Sequence, residues 1–430
     1  MSGTSSRPLY PWGARPTLSG VHFNVWAPDA DFVDVVIEGE AEPLRLLRGE
    51  GGWHSLTTPR AQARSRYWYV LPNGKRIPDP ASLFQPEGPD GPSEVLEHSA
   101  YRWRDQRWRG LPWHTTILYE VDVGAFSAAG TFNALREQLR KLVRLGITAI
   151  QLGPIATLPY APDHRYGTPD DLKGLVEEAH GLGLMVLLTV GHSQLARDFA
   201  IGNALYWLEK YRFDGLRFAN GYPQETLTEL AEVLRTRITQ REVHLILESE
   251  EIETSLLQRS HSGEIALYNA QWRDDLHRAL LAGAEGAPGA HLPPDAFVTG
   301  HRPERASDPE RRALISTQLL MPQIPLLIMG EDWDAADERY RWLLELRHRE
   351  IIPRIPSIEQ GGTVRQLAPG AVEVTWRVGT VEDLVLVANL SGEFAAVPLP
   401  KGRVLWLEGS RGASGLHSWS VLWTVRLAAA

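Results

Sequence analysis

The chain has 430 residues, more than one hydrophobic core usually organises, so we expect two or three domains. Its 43% hydrophobic and 23% charged residues are typical of a globular protein, and its net charge of −9 argues against a nucleic-acid partner. The lack of cysteine excludes disulfides and thiolate metal sites, and no apolar run is long enough for a membrane span. Residues 1–7 also lack the apolar stretch of a signal peptide, so we expect a cytoplasmic protein with no membrane partner.

The N-terminal part of the sequence is typical of short β-strands. Apolar and polar residues alternate in 20–26, a turn follows, and 32–37 and 67–70 continue the pattern. A stretch rich in proline and glycine then covers 78–93. We therefore expect a β-sandwich over residues 1–92 and a connector over residues 93–113.

The middle of the chain alternates apolar runs with amphipathic stretches, which is the pattern of a parallel sheet. The runs that fit strands are 117–122, 147–152, 185–190, 213–218, 243–248, 265–270, 296–300 and 324–330. Between them, residues 131–145 and 168–183 are predicted helices, with Thr131 and Thr168 as N-caps and Gly146 after the first helix. Eight strands, each followed by a helix, predict an α/β fold, a (β/α)₈ TIM barrel over residues 114–355.

The C-terminal part returns to a strand pattern. Tryptophan, valine and leucine alternate with other residues from Trp419 to Leu427. We therefore expect a C-terminal β-domain over residues 356–430.

Chemistry in such a barrel lies at the carboxyl ends of the strands. Arg217 and Ala219 are two residues apart, so one strand turns both to the same face. Glu248 ends the apolar run 243–247, where a carboxylate is costly unless it has a partner or a function. From its position, Glu248 is either a site residue or one half of an ion pair that closes the strand end.

A lone histidine at a strand end, such as His192 or His301, is more often a polar residue with a hydrogen-bond partner than a catalyst.

Several segments resemble one family, in order and at spacings that fit a barrel. They are DPAS at 79–82, YEVDVGAF at 119–126, HRYGTPDDL at 164–172, FDGLRFAN at 213–220, AQWRDDLH at 270–277 and PLLIMGEDW at 325–333. The chain resembles the alpha-amylase family of glycoside hydrolases and, within it, the maltooligosyltrehalose trehalohydrolases. The resemblance implies substrate contacts from Tyr119, His192, Arg217, Trp272 and His301.

The resemblance also implies positions for the three catalytic carboxylates. The family acid stands where Glu248 lies, so its residue type is retained. The family nucleophile stands where this chain has Ala219, and the third carboxylate follows a histidine where this chain has Arg302. A methyl group can neither form a glycosyl ester nor stabilise an oxocarbenium-like transition state. Asp122 and Glu250 are conceivable substitutes, but neither comes from the strand that supplies the nucleophile.

Loops at this face are short compared with the family's. Residues 193–197 lead almost directly into a helix, and residues 159–162 pass straight to His164. The predicted site therefore lacks much of a sugar-binding wall, and no motif requires a metal or another cofactor.

Three interpretations stay open at the level of sequence. The first is a silent family member that binds alpha-glucan or maltooligosaccharide, or a protein partner in trehalose or glycogen metabolism. The second is an active trehalohydrolase or related alpha-glucan hydrolase with unusual catalytic residues. The third is a protein-interaction module without sugar binding.

Overall fold

The computed structural model describes residues 12–191, 195–219, 221–248, 267–272, 293–300, 307–329 and 338–428, with residues 267–272 described as backbone only. The described elements form two N-terminal sheets, a closed barrel with helices around it, and a C-terminal sheet. This confirms the predicted fold class. The domain limits expected from the sequence stay predictions.

The N-terminal sheets form a sandwich around a small core of their own. Phe23, Val35 and Tyr69 are among the side chains that fill this core. One sheet has the order β1-β2-β6-β5, and the other has the order β4-β3-β7-β8 with β9 paired to β7. The strands are β1 Arg15–Thr17, β2 Gly20–Trp26, β3 Asp34–Ile37, β4 Leu44–Arg45, β5 Leu47–Arg48, β6 Trp53–Thr58, β7 Arg66–Val70, β8 Arg76–Ile77 and β9 Ser93–Glu94.

Eight described strands close the barrel, and every neighbouring pair is parallel. They are β10 Leu118–Val121, β11 Ala149–Leu152, β14 Met185–Val190, β15 Gly215–Phe218, β16 His244–Leu247, β17 Leu267–Trp272, β18 Phe297–Gly300 and β19 Ile324–Ile328. A two-stranded hairpin, β12 Ala156–Leu158 and β13 Ala161–Pro162, follows β11. Each predicted run contains its strand except the sixth, which extends to Trp272 past a shift in register after Asn269.

The two helices predicted from their capping residues are present, and the second ends at Gly181, two residues before its predicted end. Thr131 accepts from the N–H of Ala134, and Gly146 ends that helix in a left-handed conformation. Thr168 and Asp171 form a reciprocal capping box. The described helices are α1 Phe132–Leu145, α2 Pro169–Gly181, α3 Arg197–Lys210, α4 Gln224–Arg237, α5 Asp308–Leu320 and α6 Glu338–Leu346, and none of these is long and apolar enough to cross a membrane.

A buried carboxylate, Asp214, joins the amino ends of the barrel strands to the connector. It accepts from the N–H of Val186 at 2.8 Å, from Trp108 Nε1 at 2.6 Å and from His180 Nε2 at 3.0 Å. His180 donates from its other ring nitrogen to Asp105 at 2.6 Å. Because both ring nitrogens face carboxylates, both carry a proton in this arrangement.

The charge on His180 follows from these contacts. Burial alone would lower the pKa of His180, but Asp214 and Asp105 hold it above its usual value. The pKa of Asp214 is lowered by His180 although burial opposes this shift. The connector is therefore held to the barrel by a buried, charged hydrogen-bond chain.

The C-terminal sheet has the order β20-β21-β22-β26-β23. In strand β26 (Ser420–Leu427), which is second from one edge of the sheet, Val421, Trp423 and Val425 face the barrel core, whereas Leu422 faces a separate small core. This confirms the alternation predicted for this strand and shows that both of its faces are covered. The strands are β20 Thr363–Ala368, β21 Ala371–Val378, β22 Glu382–Asn389, β23 Arg403–Glu408, β24 Arg411–Gly412, β25 Gly415–Leu416 and β26 Ser420–Leu427.

Glu350 clamps the end of the barrel to this sheet. It accepts two hydrogen bonds from Arg403, at 3.0 and 2.7 Å, and one from Arg354 at 3.1 Å. The two-pronged contact with Arg403, helped by Arg354, lowers the pKa of Glu350 to about 2.

We predict that His180→Gln lowers stability most at acidic to neutral pH. A raised histidine pKa contributes stability below the unfolded-state value near 6.5, and this contribution is lost as the pH rises through the folded-state value. Urea unfolding at pH 6 should show a loss of about 2 kcal/mol that shrinks at pH 9. His348→Gln, at an exposed imidazole bonded to the Gly146 carbonyl, is the matched control. A loss that is constant with pH would contradict the assignment.

Candidate active site

Strand β15 carries its inward side chains to the carboxyl face of the barrel. It pairs with β14 and β16, with Thr189 and Ile246 level with Arg217. The strand must begin with glycine, because a Cβ on Gly215 would lie 2.3 Å from the His244 carbonyl oxygen. This close approach fixes the strand so that Arg217 and then Ala219 follow on one face.

An ion-pair group surrounds Arg217, and we call Arg217, Glu248, Glu120 and Gln151 the Arg217 cluster. Arg217 Nη2 lies 2.5 Å from Glu248 Oε2, and its Nη1 lies 3.9 Å from Glu120 Oε2. Gln151 donates from Nε2 to the same Glu120 oxygen at 3.5 Å. Four barrel strands or their ends thus converge on one guanidinium.

The charged side chains of this cluster differ in how far they are exposed to solvent. The Arg217 side chain is 4% exposed, Glu120 is 20% exposed and Glu248 is 30% exposed. A buried guanidinium needs negative partners, and two carboxylates supply them. The Glu248 carboxylate is the most exposed of the three charged groups and so the most accessible to a ligand.

Ala219 follows β15 directly and is half-buried. Its N–H donates to the Val190 carbonyl at 3.3 Å, and the N–H of Glu248 donates to the Phe218 carbonyl at 3.0 Å. The strand pairing therefore continues to the face, and the backbone is in place for a functional side chain. The side chain itself is a methyl group, which offers neither a nucleophile nor a hydrogen bond.

Asp122 serves the loop after β10. Its Oδ1 accepts from the N–H groups of Gly124 at 2.8 Å and Ala125 at 3.2 Å, so it is an exposed turn residue. The nearby Tyr166 has a pKa raised first by burial and then by the Asp122 charge. These contacts give Asp122 a structural role in the turn.

The structure brings two of the predicted site residues, Arg217 and Glu248, into direct contact. Tyr119 is buried, at 3% exposure, and as the neighbour of Glu120 it faces the other side of β10. His192 and His301 lie outside the described residues, as do Arg302, Glu250 and the side chain of Trp272. Their predicted roles stay predictions.

Glu120 is the site residue that sequence reasoning missed. It is a carboxylate inside the buried strand 118–121, which is the same signal that singled out Glu248. Its partnership with Arg217 was not visible because the two residues are far apart in sequence.

The described residues contain no group of three or more histidine, aspartate or glutamate side chains that could hold a metal ion. The side chains of the Arg217 cluster supply carboxylates, an amide and a guanidinium, which can bind hydroxyl groups by charge-assisted hydrogen bonds.

The chain is similar to several malto-oligosyltrehalose trehalohydrolases and, over 48% of its length, to a 1,4-alpha-glucan branching enzyme of Streptomyces coelicolor that is 30% identical. The chain is 28% identical over 352 residues to a malto-oligosyltrehalose trehalohydrolase of Saccharolobus solfataricus, covering 69% of this chain and 59% of that protein. It is 32% identical over 325 residues to one from Deinococcus radiodurans, covering 63% and 52%. The chain thus spans about half the length of the curated relatives it matches. Residues 359–423 match a family model described as a domain of unknown function, DUF3459.

Solved structures agree with these relatives. A crystal structure of a candidate alpha amylase from Salmonella typhimurium is 26% identical with a TM-score of 0.87, covering 98% of this chain and 100% of that one. A pullulanase from Anoxybacillus, complexed with maltotetraose, is 15% identical with a TM-score of 0.75, covering 97% and 87%. At that identity the pullulanase shows the fold alone.

We predict that Arg217→Met lowers the free energy of unfolding by about 3 kcal/mol, because it leaves Glu120 and Glu248 without their cation. Glu248→Gln keeps an oxygen acceptor and should cost only about 1 kcal/mol. Urea unfolding at pH 7 measures both, with the exposed Arg144→Met as the control. An Arg217→Met protein as stable as the control would show that the cluster contributes nothing.

Proposed function

Because the chain belongs to the alpha-amylase family of glycoside hydrolases, we propose that it binds alpha-glucan at the carboxyl face of its barrel without hydrolysing it. The observation that carries this proposal is Ala219, a methyl group at the position where the family resemblance implies the attacking carboxylate. The proposal assigns to this chain the family's class of ligand, alpha-glucan, but not the family's hydrolysis reaction.

The chemistry of retaining hydrolysis supports the proposal. It needs two carboxyl groups about 5 Å apart, one that attacks the anomeric carbon and one that protonates the leaving oxygen. Strand β15 supplies no carboxyl group at its end. Since even a small misplacement of a reacting atom is costly, a carboxylate from another strand is a poor replacement.

The position of Glu248 also supports the proposal. A general acid must present a proton to the leaving oxygen. Glu248 Oε2 instead lies 2.5 Å from Arg217 Nη2, so this oxygen is already engaged by a guanidinium. A carboxyl group held in this way is suited to holding sugar hydroxyl groups.

The names of the relatives support glucan as the ligand. The curated relatives are named malto-oligosyltrehalose trehalohydrolase and 1,4-alpha-glucan branching enzyme. The face that carries the Arg217 cluster is the ligand-binding face of such barrels.

One observation favours a second candidate, an active hydrolase with unusual residues. Glu120 and Glu248 both approach Arg217, so two carboxylates are present near the barrel mouth. In that case one of them would attack the sugar and the other would act as the acid. A protein partner in trehalose or glycogen metabolism, without sugar binding, is the third outcome that the tests below separate.

We predict that calorimetry with maltohexaose gives a saturable heat at millimolar ligand, and that no glucose or trehalose is released from maltohexaose or maltooligosyl trehalose. Glu248→Gln should weaken binding about tenfold, since a charged hydrogen-bond acceptor is lost. Glu232→Gln, at an exposed site on α4, should leave binding unchanged.

Two other outcomes would contradict the proposal, and each would favour a different function. Absence of heat, together with reproducible capture of one protein of glucan metabolism by the full chain, would favour the third outcome. Release of trehalose that Glu248→Gln abolishes would establish the active hydrolase and end the proposal.

We also predict that restoring two carboxylates, by Ala219→Asp with Arg302→Asp, does not recover normal turnover, because the shortened loops leave the sugar poorly held. The measurement is the rate of trehalose release by the double variant, with binding of maltohexaose as its check. Recovery close to that of the trehalohydrolases would show that the loops matter less than the missing carboxylates.

A further inference from the structure

A cavity of about 350 Å³ lies at the amino end of the barrel, away from the Arg217 cluster. Its walls come from the connector at 105–109, the end of α3 at 208–212, and the end of α4 with the turn after it at 237–241. The N–H of Glu242 donates to the Arg109 carbonyl at 2.8 Å and holds the connector wall against the start of β16. The size is within the range of small-molecule sites.

Arginine dominates the charge of this cavity. Its lining includes Arg109, Arg212, Arg237 and Arg241 together with Asp105 and Glu209. Asp214 lies behind the lining, 3.7 Å from Arg241. Four guanidinium groups thus face three carboxylates, and the protonated His180 between Asp105 and Asp214 adds a further positive charge. The cavity wall carries an excess of positive charge.

Two of these arginines already have carboxylate partners at the wall. Arg212 donates to Asp105, and Arg237 donates to Glu209. The other two hydrogen-bond mainly to neutral carbonyl groups. Arg241 donates to the carbonyls of Leu208 and Phe213 at 2.6 and 2.9 Å.

Arg109 donates to the carbonyls of Gln106 and Trp108, both at 2.9 Å. No carboxylate among the described residues forms an ion pair with it. Burial lowers the pKa of Arg241, the sign of a guanidinium whose charge is costly at its position. An anion in the cavity would offset that cost and would meet Arg109 as well.

The rest of the lining suits a small hydroxylated body. Gln106, Thr239 and Gln240 offer amide and hydroxyl groups, and Trp108 adds an aromatic side chain to the lining. Guanidinium groups bind phosphate oxygens with two parallel hydrogen bonds, which favours phosphate over a single carboxylate. We propose that this cavity binds the phosphate monoester of a small hydroxylated molecule. The site is separate from the carboxyl face, so it does not rest on the glucan proposal.

The test is calorimetry of the full chain at low salt with glucose 6-phosphate, inorganic phosphate and glucose as probes. We expect glucose 6-phosphate to bind with a dissociation constant below about 1 mM, more tightly than inorganic phosphate, and glucose to give no heat from this cavity. Arg109→Gln should weaken binding of the ester about tenfold, whereas the exposed neighbour Arg107→Gln, outside the lining, should not.

A second variant covers the case in which Arg109→Gln does not fold. Gln240→Glu places a negative charge in the lining and should also weaken binding of the ester about tenfold. No saturable heat with the ester would overturn the proposal. So would equal affinity for inorganic phosphate, because the cavity would then not recognise the organic part, and so would equal weakening by Arg107→Gln, because the attraction would then be diffuse.

Discussion

The Asp214 carboxylate is the interaction on which the rest of this structure depends. It is fully buried, and it bonds the backbone of β14, the indole of the connector and the imidazole of α2. An isolated buried carboxylate would be strongly destabilising, so its partners must all be present together. Arg217 follows Asp214 by three residues, and Ala219 follows it by five. The contacts of Asp214 therefore fix how far along the barrel axis these two residues lie, at the candidate active site.

The two ends of β15 are therefore constrained by different kinds of contact. Its amino end, with Asp214 and Gly215, is constrained by hydrogen bonds and by close backbone contact. Its carboxyl end at Ala219 is held by backbone pairing, which any residue with a backbone N–H permits. A barrel can consequently keep its fold when the residue at the carboxyl end of a strand changes. In such barrels the carboxyl face carries the active site, whereas the amino face contributes to stability.

Local sequence patterns predicted much of the fold, but they did not predict the side-chain contacts that form across the barrel. The eight strands, the Thr168 cap and the alternation in β26 follow from apolar runs and capping residues, which act over a few positions. The pairing of Glu120 with Arg217 and of Asp105 with His180 depends on barrel closure and on the path of the connector, which no local period encodes. The family acid position was predicted at Glu248 and stays a prediction, whereas its contact with Arg217 became visible only in the geometry.

The β26 side chains that enter the barrel core bear on how far the C-terminal sheet can be separated from the barrel. Trp423 stacks on Trp376 with ring centroids 5.6 Å apart, and both indoles belong to the same apolar core as the barrel helices. A cut between the barrel and the sheet would pass through that core and expose it to water. The C-terminal sheet is therefore part of what keeps the barrel folded, although it lies outside the barrel in sequence.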